Sequence, residues 1–210
     1  MAIGTARLAF VAGGATLGFA LSALASTLVV RAARTYPSPP SPPLAVQESA
    51  PPSGSQAEHP VLPAGVRAKL IGQSAGARTY QLVLAPGTEA MGAIAEFVTA
   101  NHIESAHFQG LGACTDAVVA YWDPGLRDYR KTSYRQQMEI VSILGDAAPT
   151  PGEGAGLHAH VGLAFADGSM HGGHLFETHV SPTMELVLTA SPTAMHRQYE
   201  DGVHGWLLAP

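Results

Sequence analysis

Apolar and polar positions alternate in short runs through most of the chain from residue 66 onward. Segments 66–71 and 79–84 alternate or run apolar as strands do, and Pro86-Gly87 ends the second. Thr88 is placed to cap a helix through His102, with Met91, Ile94, Ala95 and Val98 on one face and Glu89 in the first turn. Strands follow over 106–113 and 117–122, and Pro124-Gly125 makes a turn. Further strands cover 129–134 and 138–144, then a hairpin within 157–175 and a last strong strand over 184–189. A short tail ends in Trp206-Leu207-Leu208. Many short strands with a single convincing helix predict an α+β domain, a largely antiparallel β-sheet with one main packed helix.

Upstream the pattern changes twice. Arg7 precedes an uncharged run over 8–30, whose 23 residues would span about 35 Å as a helix, enough to cross a bilayer. Ala23-Leu24-Ala25 before Ser26 has the form of a signal-peptidase site. The same run can equally continue to Arg31 and Arg34 as an uncleaved anchor, and charge on both flanks leaves its orientation open. Residues 1–35 are therefore a signal peptide or a membrane anchor, and either reading places the remainder outside the cytoplasm, periplasmic, secreted or tethered. Segment 36–64 is a Pro-rich linker: 9 of the 16 prolines fall between Tyr36 and Pro63, a composition that makes an extended spacer and no core. The globular domain is then 65–210.

Charge narrows the function classes. The chain carries a net charge of −5, and from Arg67 onward 8 Lys and Arg face 14 Asp and Glu. Nucleic-acid binding rests on neutralising phosphates with basic side chains, so this balance argues against it. Arg127, Arg130, Lys131 and Arg135 form the sole basic stripe, which reads as the solvated face of an edge strand. The single cysteine, Cys114, permits no intrachain disulfide and reads as a small buried hydrophobe. Gly110-Leu-Gly112 has neither a following helix nor a Walker lysine, so tight turning or close backbone packing explains it better than phosphate binding.

The candidate chemistry lies in the 157–175 hairpin, which holds His158, His160, His171 and His174 around the Asp167-Gly168 turn. Side chains two apart on a strand share a face, so His158 and His160 point the same way. A plain two-residue loop would put His174 opposite Val161, on the wrong face. One extra residue, in a bulge at Gly172-Gly173 or in a three-residue loop, moves it opposite Gly162 and onto the face of His160. His158, His160 and His174 are thus the predicted ligands of a divalent metal, with His171 outside. Three imidazoles leave a tetrahedral zinc one open position, the pattern of catalytic sites. Glu185 and Glu139 are the candidate catalytic carboxylates, because both lie in strands that otherwise read as apolar. Each has an alternative role in orienting a ligand or pairing with an arginine such as Arg197. His179, His196 and His204 read as surface or interface residues.

Several motifs then recur in a fixed order: Tyr80-Gln-Leu-Val-Leu-Ala-Pro-Gly87, Gln109-Gly-Leu-Gly-Ala113, Glu139-Ile-Val-Ser-Ile-Leu-Gly145, Leu157-His-Ala-His160, Asp167-Gly168, Gly172-Gly-His-Leu175, Thr183-Met-Glu185, and Arg197 with Asp201. This series resembles the PPC (plant and prokaryote conserved) domain in its stand-alone prokaryotic form, over about 140 of the 210 residues. The resemblance implies an antiparallel domain assembling as a homotrimer, with a metal, usually assigned as zinc, at the matching histidines. Relatives in plants carry an AT-hook and the family bears a DNA-binding label, yet this chain has no Arg-Gly-Arg-Pro core. The expected function is an exported or membrane-tethered homotrimer that binds zinc together with a small ligand or partner. A zinc-dependent hydrolase is the second expectation, and a DNA-binding regulator the last.

Overall fold

A computed structural model of the chain describes residues 59–152 and 154–209. The signal or anchor segment 1–35 and the linker up to residue 58 lie outside the described residues. Among those described, no helix is long and apolar enough to cross a membrane.

The elements are β1 (Val66–Ser74), β2 (Ala77–Leu84), α1 (Ala90–Ala100), β3 (Ala106–Asp123), β4 (Asp128–Thr150), β5 (Gly154–Ala164), β6 (Met170–Ala190), β7 (His196–Glu200) and β8 (Gly205–Ala209). Every strand pairing is antiparallel. The main sheet runs β1-β2-β6-β3-β4-β5, and β5 also pairs with the first part of β6. That extra pairing closes β3, β4, β5 and β6 on themselves, so β5 is paired on both edges from His160 to Ala164. β7 and β8 form a separate hairpin.

Alternation along the strands sets the core. In β2, Tyr80, Leu82 and Leu84 are buried while Gln81 is exposed; in β6, Met184, Leu186 and Leu188 are buried while Glu185 and Val187 are exposed. Helix α1 buries Ala90, Ala93, Ile94, Phe97 and Val98 and packs on β5 and β6. Phe97 meets Tyr80 edge to face, with ring centroids 5.4 Å apart. Each large buried side chain of this face contributes about 1.5–3 kcal/mol relative to exposure. The cap differs from expectation: Glu89, not Thr88, is the N-cap, its carboxylate accepting from the N–H groups of Met91 (3.0 Å) and Gly92 (2.6 Å).

The predicted strands at 106–113 and 117–122 are one element, β3, and those at 129–134 and 138–144 are one element, β4. Register shifts between the two strands, at Gly110 to Gly112 and at Cys114 to Asp116, where β4 carries one extra residue each time, take up the irregularity that reads as a break in sequence. The Gly110-Leu-Gly112 motif is close backbone packing: a Cβ at Gly112 would stand 2.4 Å from the carbonyl oxygen of Thr183 on β6. Cys114 is fully buried beneath this crossing, and burial pushes its thiol pKa up.

Candidate metal centre

The centre is built on three neighbouring strands. His158 and His160 project from the same side of β5, while Ala159, Val161 and Leu163 between and beyond them are buried. Opposite them on β4 stand Asp146 and Leu144. His174 on β6 pairs with His160 on one side and with Ala120 of β3 on the other.

The hairpin turn explains how His174 arrives there. Phe165 N–H donates to Ser169 O at 2.9 Å, and Gly168 N–H donates to Phe165 O at 2.9 Å. The loop is therefore three residues, 166–168, with Gly168 at φ 84. This is the three-residue alternative of the sequence reading, but it sets His174 against His160 and not against Gly162 as expected. Gly172 and Gly173 carry no bulge toward β5; they pair in register with Gly162 and Val161.

The three imidazoles converge. Ring centroids lie 5.3 Å apart for His158 and His160, 5.1 Å for His158 and His174, and 5.6 Å for His160 and His174. One ligand nitrogen from each lies within 4.8 Å of the others. The nitrogens of a tetrahedral zinc sit about 3.3 Å apart, a spacing that side-chain rotation reaches from here. The donor set fits a divalent metal, and no other His, Cys, Asp or Glu among the described residues joins the group.

The electrostatics keep the His158 and His174 rings ready to coordinate. Burial, then the nearby His158, His160 and Lys131, push the His174 pKa down to about 4. Burial also lowers that of His158, against an opposing pull from Asp146. Neutral imidazole is the form that binds metal. Around the rings, Tyr129 Oη lies 3.5 Å from His174 Nδ1, at the outer limit of a hydrogen bond, and its ring packs 4.7 Å from that imidazole. Asp146, across from His158, is ion-paired with Arg197, whose side chain is only 3% exposed.

The other predicted residues fall elsewhere. Glu139 pairs with Ala113 and Ala164, and Glu185 with Val83 and Leu111. Both are exposed, pointing away from the core on alternating strands, so the inference from an apolar setting does not hold for them. Arg197 pairs with Asp146 and with neither glutamate. His171 is exposed against Tyr134 and Phe165 on the other side of the hairpin, as expected. His179 is bound by Asp116 at 2.8 Å, which raises its pKa. His204, read as a surface or interface residue, is exposed, and it also lines a cavity of about 530 Å³ that opens beside His158 and His174. The same cavity is lined by Arg197, Trp122 and Trp206, which the sequence reading did not connect to the histidines. Alternation within the short β7–β8 hairpin and the Arg197–Asp201 motif were the available signals.

Comparison with known proteins agrees with this architecture. A search of curated proteins finds no significant match. Among solved structures, a Bacteroides thetaiotaomicron protein provisionally described as DNA-binding is 22% identical, with 69% of this chain and 97% of that one covered and a TM-score of 0.63. A metal-containing protein from Archaeoglobus fulgidus is 27% identical over 69% of this chain and 97% of its own, with a TM-score of 0.59. A plant- and prokaryote-conserved protein from Pyrococcus horikoshii is 22% identical over 70% and 96%, with a TM-score of 0.58. The family profile of the Plants and Prokaryotes Conserved (PCC) domain matches residues 72–192, more than half of the sequence, and the chain therefore belongs to that family.

Proposed function

We propose that this chain is an exported or membrane-tethered homotrimeric domain that holds a divalent metal, zinc in the first instance, on His158, His160 and His174. The single observation that carries the reading is the convergence of three imidazoles within 4.8 Å on adjoining strands of one sheet. The Archaeoglobus fulgidus relative, called metal-containing, supports it. Zinc on three histidines would supply Lewis acidity and a bound water of lowered pKa. The chain's own residues fix the donors: the β5–β6 pairing aligns His160 with His174, and Asp146 stands across from His158.

Self-association has its own support. Leu111, Leu144 and Val187 are exposed together on the sheet beside Glu185, an apolar patch suited to a second copy. Leu144 pairs directly with His160, so assembly over this patch would enclose the metal centre. Export rests on the apolar run at 8–30 and the linker after it.

A zinc-dependent hydrolase is the runner-up, favoured by the cavity next to His158 and His174. Neither Glu139 nor Glu185 lines that cavity, which ranks hydrolysis below ligand binding. DNA regulation ranks last: the Bacteroides relative's description suggests it, but this chain is acidic.

Metal analysis after dialysis separates the readings. We expect one zinc per chain in the parent protein, and its loss in His158→Ala with the sedimentation coefficient of a trimer unchanged. Dissociation of that variant to monomers would make the metal an assembly element. Tight binding of duplex DNA at physiological salt would reverse the ranking.

A further inference from the structure

The cavity beside the histidines has a make-up that metal binding does not require. Trp122, Tyr129, Phe176 and Trp206 wall it, and the first and last of these are the only two tryptophans of the chain. The aromatics pack edge to face, Trp122 against Tyr129 at 5.2 Å and Tyr129 against Phe176 at 5.5 Å, forming a continuous apolar wall. Such walls take an apolar body out of water, and a cavity of about 530 Å³ lies within the usual range for small-molecule sites.

Its charge runs opposite to that of the chain. The protein is net −5, yet among the described residues no Asp or Glu lines the cavity, and Arg197 does. Arg197 is 3% exposed in its side chain, reaches one carboxylate through Nη2, and leaves Nε without an acceptor. A buried guanidinium offers five donors, so this one has capacity that the protein leaves unused. Lys131 does not line the cavity, but its ammonium stands 3.8 Å from the centre of the Phe176 ring and adds positive charge nearby. A divalent ion on His158 and His174, which also line the cavity, would add to the same sign.

We propose that this cavity binds a small organic anion, a carboxylate carried on a flat aromatic or compact apolar body, with Arg197 at the charged end and Trp122 and Trp206 against the body. The inference deepens the metal reading and rests on it only for the additional positive charge. A metal centre needs neither the aromatic walls nor an under-satisfied arginine.

Both tryptophans line the cavity, so intrinsic fluorescence reports its occupancy. The full-length protein is titrated with benzoate, benzamide and benzylamine, zinc-loaded and chelator-stripped, with zinc measured on the same samples. Benzoate should give a saturable change, with the neutral and cationic analogues at least tenfold weaker. Trp206→Ala, with Trp122 left to report, should weaken benzoate at least tenfold. Arg197→Met should do the same at unchanged zinc content; if that variant does not fold, the three-probe comparison and Trp206→Ala still decide. No saturable response, or equal affinity for benzamide, overturns the proposal. Zinc bound with no benzoate response sinks the anion site alone. Arg197-dependent benzoate binding in a protein that takes up no zinc sinks the metal reading alone.

Discussion

Replacing Asp146 by alanine isolates what holds the wall of the metal centre in place. Arg197 comes from β7, outside the main sheet, and is buried against Asp146 of β4, which itself is 22% exposed. Removing one member of a buried ion pair leaves an uncompensated charge and costs about 3–5 kcal/mol. Partial access of water to Asp146 puts the expectation at the low end, about 3 kcal/mol. Nε of Arg197 already lacks an acceptor, so the guanidinium has no second carboxylate to turn to. For a domain of this size the loss corresponds to a fall in Tm of roughly 6–12 °C. Urea unfolding of metal-free protein, at one fixed protein concentration because assembly feeds into apparent stability, measures it directly. The double variant Asp146→Ala/Arg197→Met should recover most of the loss, since it removes the stranded charge. A change below about 0.5 kcal/mol in Asp146→Ala, the level of an ordinary surface substitution, would refute the reasoning, as would a double variant no more stable than the single.

Two further outcomes follow from other parts of the fold. Asp116 raises the His179 pKa above its ordinary value near 6.5, so their pairing contributes stability fully below that pH and loses it as pH rises through the raised value. The stability gap between the parent and His179→Gln should therefore be widest at acid pH and narrow toward pH 9; a gap independent of pH contradicts this. Gly112→Ala should destabilise by at least about 2 kcal/mol in chemical unfolding, because the new Cβ would lie 2.4 Å from a backbone carbonyl that cannot rotate away; a neutral result would show that β3 and β6 can part freely.

Much of this was legible in the residues. Alternation located the strands and spacing located α1, because each buries one face and exposes the other. His158 and His160 were readable as a pair from strand period alone. His174 depended on the loop, and Asp167-Gly168 specifies that glycine takes positive φ without fixing whether two or three residues turn. The continuity of β3 and β4 was not legible, since register shifts opposite Gly110 to Gly112 and Cys114 to Asp116 look like breaks when no partner strand is in view. Glu139 and Glu185 were misjudged for a related reason: neighbours in sequence suggested burial, but a strand period of two sends every second residue outward. Alternation in the short β7–β8 hairpin hints at strands there, but Arg197, His204 and Trp206 reach the cavity through a tertiary placement of that hairpin that no local pattern encodes.

X-ray absorption at the zinc edge, on the protein reconstituted with one equivalent of zinc, tests the convergence of the three rings most directly. Three imidazole nitrogens at about 2.0–2.1 Å should appear, with the signal lost in His158→Ala, His160→Ala and His174→Ala and retained in His171→Ala. A zinc shell that survives His174→Ala, or one that vanishes equally with His171→Ala, would contradict the assignment of this hairpin as the metal centre.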